Sequence, residues 1–211
     1  MIFSVIIAIV IGYLLGSIPF AYITGRLKKG VDVRQVGGHN VGALNVMREI
    51  GLLPGVAVLI ADIGKGSLAV LIASWLGLPM IWVFVAGFAA VLGHNWPILL
   101  GFKGGKGAAT TLGVLFALVP SEFAISLAIM ALVIVITSNI RLAIIIGLAL
   151  LPLFIWRFDG SSMLIAYSLA LSLFLGVRSL PSIREAITST SNKKNLIFDR
   201  DYHFWQIKKS K

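Results

Sequence analysis

From Met1 to Thr24 the chain runs without a single charged residue. A helix needs about 20 apolar residues to cross a hydrocarbon core of about 30 Å, so this stretch is long enough to span a membrane. Inside lipid every backbone N–H and C=O must be paired within the protein, which leaves helices and closed barrels as the only spanning forms. No Lys or Arg precedes the run and no small-x-small cleavage site follows it, so it reads as a retained first span and not a secretion signal. The pattern recurs. Leu53–Gly77 and Pro79–Leu100 are further apolar runs of spanning length, the first of them carrying Asp62 and Lys65. Ala108–Val119 is apolar but short, a span only if tilted, extended or assisted by neighbouring protein. Phe123–Ser138, Leu142–Trp156 and Met163–Val177 lie near the lower limit, punctuated by Pro120, Asn139, Arg141, Pro152 and the Arg157–Gly160 turn. The runs are continuous and not alternating, and an all-α polytopic membrane protein is expected.

Composition closes the other routes. Hydrophobic residues make up 58% of the 211 and charged residues 12%, where a soluble domain carries about a quarter charged. A soluble single domain, a disordered chain and a coiled coil are set aside. There is no cysteine, which removes disulfides, thiolate nucleophiles and Cys-based metal sites. His39, His94 and His203 show no metal-ligand spacing against the eight acids. Neither a metal nor a cofactor is expected.

The formal charge of +10 decides the topology. Seven spans with the N-terminus outside put Arg26, Lys28, Lys29, Arg34 and Arg48 of the 25–51 loop on the cytoplasmic side. Lys103, Lys106, Arg141 and the eight basic residues from Arg178 to Lys211 join them, making 16 of the 18. Only Arg157 falls outside. Dropping the short segment would send the tail outward, so the positive-inside rule favours seven spans with a cytoplasmic C-terminus. The excess charge thus belongs to loops at an anionic membrane face, and nucleic acid is not the expected partner. Residues 1–183 read as one membrane domain and 184–211 as a basic cytoplasmic tail; oligomeric state is not legible.

Three polar segments interrupt this pattern. The first is Gly16-Ser17-Ile18-Pro19, followed by a loop from Asp32 to Arg48. In that loop Gly37 and Gly38 can turn backbone N–H groups toward an anion. Asn40 and Asn45 can supply neutral donors and acceptors, and Arg48 a fork for phosphate. The alternative is an ordinary polar loop whose charges only orient the chain. The second segment is Gly93-His94-Asn95, followed by Lys103-Gly104-Gly105-Lys106-Gly107 and Thr110. A Gly-Gly turn flanked by lysines and opening into a helix suits a phosphate, although Gly107 after Lys106 breaks the Walker A pattern. His94 is either a general base or a histidine satisfied by backbone. The third is Asp62-Ile63-Gly64-Lys65-Gly66, whose Asp and Lys at i, i+3 share a helix face. Charges inside a span suggest function; the plainer reading is an internal ion pair.

Together these segments resemble the bacterial acyl-phosphate:glycerol-3-phosphate acyltransferases, small multispan enzymes of phospholipid synthesis. The family's Gly-Ser-Ile-Pro span end, Asp-x-Arg…Gly-Ser-Gly-Asn-x-Gly-Ala-Thr-Asn-x-x-Arg loop, Asp-x-x-Lys-Gly element, Gly-His and Phe-Lys-Gly-Gly-Lys-Gly-x-Ala-Thr loop appear in order. Here they are Gly16–Pro19, Asp32–Arg48, Asp62–Gly66, Gly93-His94 and Phe102–Thr110. The resemblance implies a multi-pass protein of the bacterial cytoplasmic membrane with its active site facing the cytoplasm. It implies acyl transfer from an acyl-phosphate to glycerol-3-phosphate, giving lysophosphatidic acid. Arg48, Lys103 and Lys106 would hold the acceptor phosphate, with the acyl chain between spans. The chain departs from the family at Gly38, where a serine is usual, at His39, where a glycine is usual, and at Leu44 in place of threonine. The serine-bearing third motif reads Ser138-Asn139-Ile140-Arg141-Leu142-Ala143-Ile144 here, and Arg178–Ile183 matches the C-terminal pattern only loosely. Two other readings follow. A divergent paralogue would act on another phosphorylated acceptor or bind phosphate-lipid without turnover. A small transporter would use the Gly- and Pro-interrupted spans as broken helices, although no internal repeat is present.

Overall fold

A computed structural model of the chain describes residues 1–188. The described residues are helical, with no strand among them. The elements are α1 (Ile2–Ser17), α2 (Phe20–Lys29), α3 (Ala43–Glu49), α4 (Leu52–Trp75) and α5 (Met80–Asn95), then a 3-10 turn at Ile98–Leu100. They continue as α6 (Ala108–Leu118), α7 (Pro120–Thr137), α8 (Ile140–Phe158) and α9 (Ser162–Thr188). The chain divides into two compact units, Met1–Leu118 and Val119 onward. The protein is an all-α polytopic membrane protein.

Where helices start and stop follows from local chemistry. The first expected span is broken after Ser17, because Pro19 offers no N–H and pushes Ile18 into an extended conformation (φ −65°, ψ 114°). The chain resumes as α2 and runs to Lys29, beyond the expected end at Thr24. The expected span to Leu100 likewise stops as an α-helix at Asn95, before Pro97, and finishes in the 3-10 turn. Six helical segments are long and apolar enough to cross a membrane among the described residues. The expected seventh, α6, has 11 residues, a rise of about 16 Å at 1.5 Å per residue. Its length alone covers about half a hydrocarbon core. The domain boundary expected at 183/184 lies within α9, and residues 189–211 of the tail lie outside the described residues.

In the first unit the helices meet through small residues. A Cβ on Gly16 would overlap the Ala90 carbonyl oxygen, and one on Gly93 the Tyr13 carbonyl oxygen, so α1 and α5 touch backbone to backbone. The same holds for α4 and α6, where Gly66 abuts the Thr110 carbonyl and Gly113 the Ile63 carbonyl. Ser67 Oγ adds a hydrogen bond of 2.7 Å to the Gly113 carbonyl. Lipid tails are as apolar as leucine, so close backbone contact and such hydrogen bonds, not hydrophobic exclusion, hold membrane helices together. In the second unit α7 pairs with α8 and α8 with α9. Ser126 Oγ donates to the Gly147 carbonyl at 3.0 Å, and Asn139 caps α8 by accepting from Leu142 N–H at 3.1 Å.

Candidate active site

The first glycine-rich loop is built around one amide. Asn45, 5% exposed on α3, accepts from Gly38 N–H at 2.8 Å. Its Nδ2 faces the carbonyls of Val33 (2.8 Å), Asn40 (3.0 Å) and Val36 (3.2 Å). Both ends of the side chain are therefore committed to the loop, and Asn45 is a loop organiser where the sequence suggested a ligand contact. Positive φ falls at Gly37 (57°) and His39 (50°), and not at Gly38. The αL conformation is open to glycine at no steric cost, while at His39 it is held by an Nδ1 contact of 3.1 Å to the Arg34 carbonyl. At Gly38, where the family has serine, a Cβ would meet only Asn45 Oδ1, at an ordinary 3.6 Å. Space for the missing side chain is present.

The start of this loop is clamped by charge. Arg34 forks onto Asp32 through Nε–Oδ1 (3.0 Å) and Nη2–Oδ2 (2.7 Å). Arg26 joins the same carboxylate at 3.8 Å. Both guanidinium groups lie over the Tyr22 ring, 5.3 and 5.2 Å from its centre. The hydrogen bonds from Arg34 hold the Asp32 carboxyl below its ordinary value near 3.8, since they favour the charged form. In the sequence this clamp shows only as the Asp-x-Arg spacing of Asp32 and Arg34, with Tyr22 one helix earlier.

The second glycine-rich loop folds back on the end of α5. Gly104 N–H donates to the Asn95 carbonyl (3.2 Å) and Gly105 N–H to the His94 carbonyl (3.1 Å). These two amides satisfy helix carbonyls. Glycine is required there for closeness: a Cβ on Gly105 would overlap His94 Nε2 and the Val41 carbonyl oxygen. This is where the two loops meet, with the His94 ring beneath. Lys103 is exposed, Lys106 half-buried and Arg48 exposed. Thr110 is fully buried on α6, and its hydroxyl has no hydrogen-bond partner among the described residues. The first hydrogen bond of α6 runs from Thr111 N–H to the Gly107 carbonyl (2.8 Å). The N–H groups of residues 108–110 therefore precede it at the positive end of the helix.

Below the loops lies a buried polar cluster. Asp62, Lys65 and His94 are 2%, 4% and 7% exposed. Lys65 Nζ lies 2.7 Å from Asp62 Oδ1, the ion pair their i, i+3 spacing suggested. Lys65 also donates to the Ile18 carbonyl at 3.0 Å. His94 Nδ1 is 3.6 Å from Asp62 Oδ1. Ser17 is buried in the same wall and donates to the Tyr13 carbonyl at 2.8 Å. Sequence spacing paired Asp62 with Lys65 but carried no sign that His94 joins them, because that contact crosses from α4 to α5.

Fold and site define an integral membrane protein whose polar chemistry is gathered where two glycine-rich loops interlock over buried charge. The glycerol-3-phosphate acyltransferase family model matches residues 6–189, and the chain belongs to that family. It is 41% identical over 198 residues to glycerol-3-phosphate acyltransferase 1 of Dehalococcoides mccartyi, covering 91% of this chain and 95% of the relative. The glycerol-3-phosphate acyltransferase of Synechococcus sp. is 39% identical over 191 residues, with 90% and 95% covered. Among solved structures, the glycerol 3-phosphate form of PlsY (YgiH), an integral membrane glycerol 3-phosphate acyltransferase, superposes with a TM-score of 0.80 at 35% identity. That match covers 88% of this chain and 92% of the other. The lysophosphatidic acid form gives a TM-score of 0.78 at 34% identity, over the same shares of the two chains.

Proposed function

We infer that the protein acylates glycerol-3-phosphate, with an acyl-phosphate as donor. The glycerol hydroxyl attacks the acyl carbon, the C–O bond to phosphate breaks, and lysophosphatidic acid and inorganic phosphate leave. The hydroxyl proton departs with the phosphate. The observation that carries the reading is the junction of the two glycine-rich loops at Val41, Gly105 and His94, in a chain of this family.

The roles of individual residues follow from their charge and from their places in the two loops. Arg48, Lys103 and Lys106, with the N–H groups that open α6, are the groups we assign to the acceptor's phosphate. Asn45, Gly37, Gly38 and Asn40 shape the loop beside it. Acyl-phosphate is already activated, so the protein supplies position and charge compensation. Positioning two reactants is worth up to about 7–11 kcal/mol, and fixed donors at a developing oxyanion add about 3–4 kcal/mol each. In this reading His94 does not act as a base, being walled in by Asp62 and Gly105.

We assign the loops to the cytoplasmic side and give the chain seven crossings, with α6 as a short one. The support is the charge count: 16 of 18 basic residues then face inward. The test is direct. Purified protein mixed with acyl-phosphate and glycerol-3-phosphate should form lysophosphatidic acid, and Arg48→Ala or Lys106→Ala should lower kcat/KM by about tenfold or more. A charge-assisted hydrogen bond of about 1.5–3 kcal/mol sets the lower end of that range. Wild-type protein that produces none with any acyl chain length refutes the reading.

A further inference from the structure

We propose that Asp62, Lys65 and His94 form a buried positioning assembly that fixes the junction of the two glycine-rich loops and thereby sets affinity for the phosphorylated acceptor. The inference rests on the reading of those loops as the acceptor site. It assigns work to three side chains that substrate does not touch.

The contacts of these side chains define what the assembly holds. Lys65 Nζ reaches Asp62 Oδ1 (2.7 Å) and the Ile18 carbonyl (3.0 Å), and lies 5.7 Å from the centre of the Phe20 ring. In an unbroken helix the Ile18 carbonyl would accept from the residue four positions on. Pro19 breaks that ladder, and the carbonyl accepts from the ammonium and from Phe20 N–H (3.2 Å), which fixes the bend from which α2 leads into the first loop. Asp62 faces His94 Nδ1 at 3.6 Å, and the opposite ring edge lies against Gly105, which also abuts the Val41 carbonyl. The His94 carbonyl also accepts from Gly105 N–H at 3.1 Å. One residue thus grips the second loop by ring and by backbone, while the ion pair beneath it holds the break at Ile18 from which α2 leads to the first.

Size decides between direct and indirect action. The cavity bordered by Ser17, Asp62, Lys65 and His94 measures about 10 Å³, close to the space of a single water. In this structure that space is smaller than glycerol-3-phosphate or an acyl group. A carboxylate and an ammonium buried in a membrane protein are expensive and point to function, and here the function must pass through the loops.

The assembly is tested by steady-state kinetics on the full chain. His94→Phe keeps the ring and removes both polar edges; Asp62→Asn with Lys65→Met removes the charges together. Each is expected to raise KM for glycerol-3-phosphate tenfold or more, with KM for acyl-phosphate within twofold. The triple variant should be no worse than the poorer of the two. Ser67→Ala, which removes a hydrogen bond between α4 and α6, should lower thermal stability and leave both KM values alone. His94→Gln, which retains a polar edge, should lie nearer wild type than His94→Phe. Active protein whose acceptor KM is unchanged, or whose two KM values rise together, overturns the inference while leaving the functional reading intact. Loss of folding in all the His94 and Asp62/Lys65 variants would likewise overturn it in favour of packing alone. Wild-type protein that acylates no glycerol-3-phosphate overturns the functional reading, and this inference with it.

Discussion

Asn45 has the most concentrated local role of any side chain in the first loop. Its amide engages Gly38 N–H and the carbonyls of Val33, Val36 and Asn40. Asn45→Ala should destabilise the protein by about 2–3 kcal/mol, the cost of leaving buried polar groups unpaired, read as a lowered thermal midpoint in detergent. Asp32 answers to pH. Its folded pKa lies below the ordinary value near 3.8 because Arg34 binds the charged form. The stabilisation is therefore complete well above pH 3.8 and is lost as pH falls through the lower folded value. The stability gap between wild type and Asp32→Asn should be constant from neutrality to about pH 5 and close below pH 3.8 in a thermal-melt series. At this scale the sequence displayed residue types well and allegiances poorly. Asn45 looked like a ligand group because nothing local reveals that carbonyls from Val33 to Asn40 converge on it.

Among the elements, α1 and α5 show how far small residues govern the packing. Gly93 admits the Tyr13 carbonyl and Gly16 the Ala90 carbonyl at distances no Cβ permits. Gly93→Ala should separate the helices and destabilise the unit by about 1–3 kcal/mol, the usual range for overpacking. Because His94 follows directly, loss of acceptor affinity should accompany the lowered midpoint. Helix positions were legible wherever apolar length and proline agreed, as at α4, expected over Leu53–Gly77 and found over Leu52–Trp75. They were blurred where hydropathy ran on through a backbone break. Ile18–Pro19 and Trp96–Pro97 lie inside apolar stretches that a hydropathy reading joins, and only the missing proline N–H separates the elements.

At the scale of the whole molecule, the chain is suited to a direct measurement of its membrane topology. It contains no cysteine, so each engineered thiol would be the sole target of an impermeant reagent. Cysteines at Lys28 and Lys103 should label only from the cytoplasmic side, and at Gly77 and Gly160 only from the outer side. Labelling of Gly160 from the same side as Lys103 would reduce the crossings and refute the seven-span arrangement. The site's front half was legible because its motifs are contiguous in sequence. The joining of Ser17, Asp62 and His94 was not, since it depends on three helices brought together in space.

The buried ion pair also restricts the routes by which such a sequence can drift. Losing Lys65 alone strands a carboxylate, and losing Asp62 alone strands an ammonium. Breaking a buried pair costs about 3–5 kcal/mol, a large share of a typical stability margin, whereas replacing both members together is often neutral. The two positions are therefore locked to one another: a lineage can keep both or exchange both, but each one-step path between those states passes through a poorly folding ancestor.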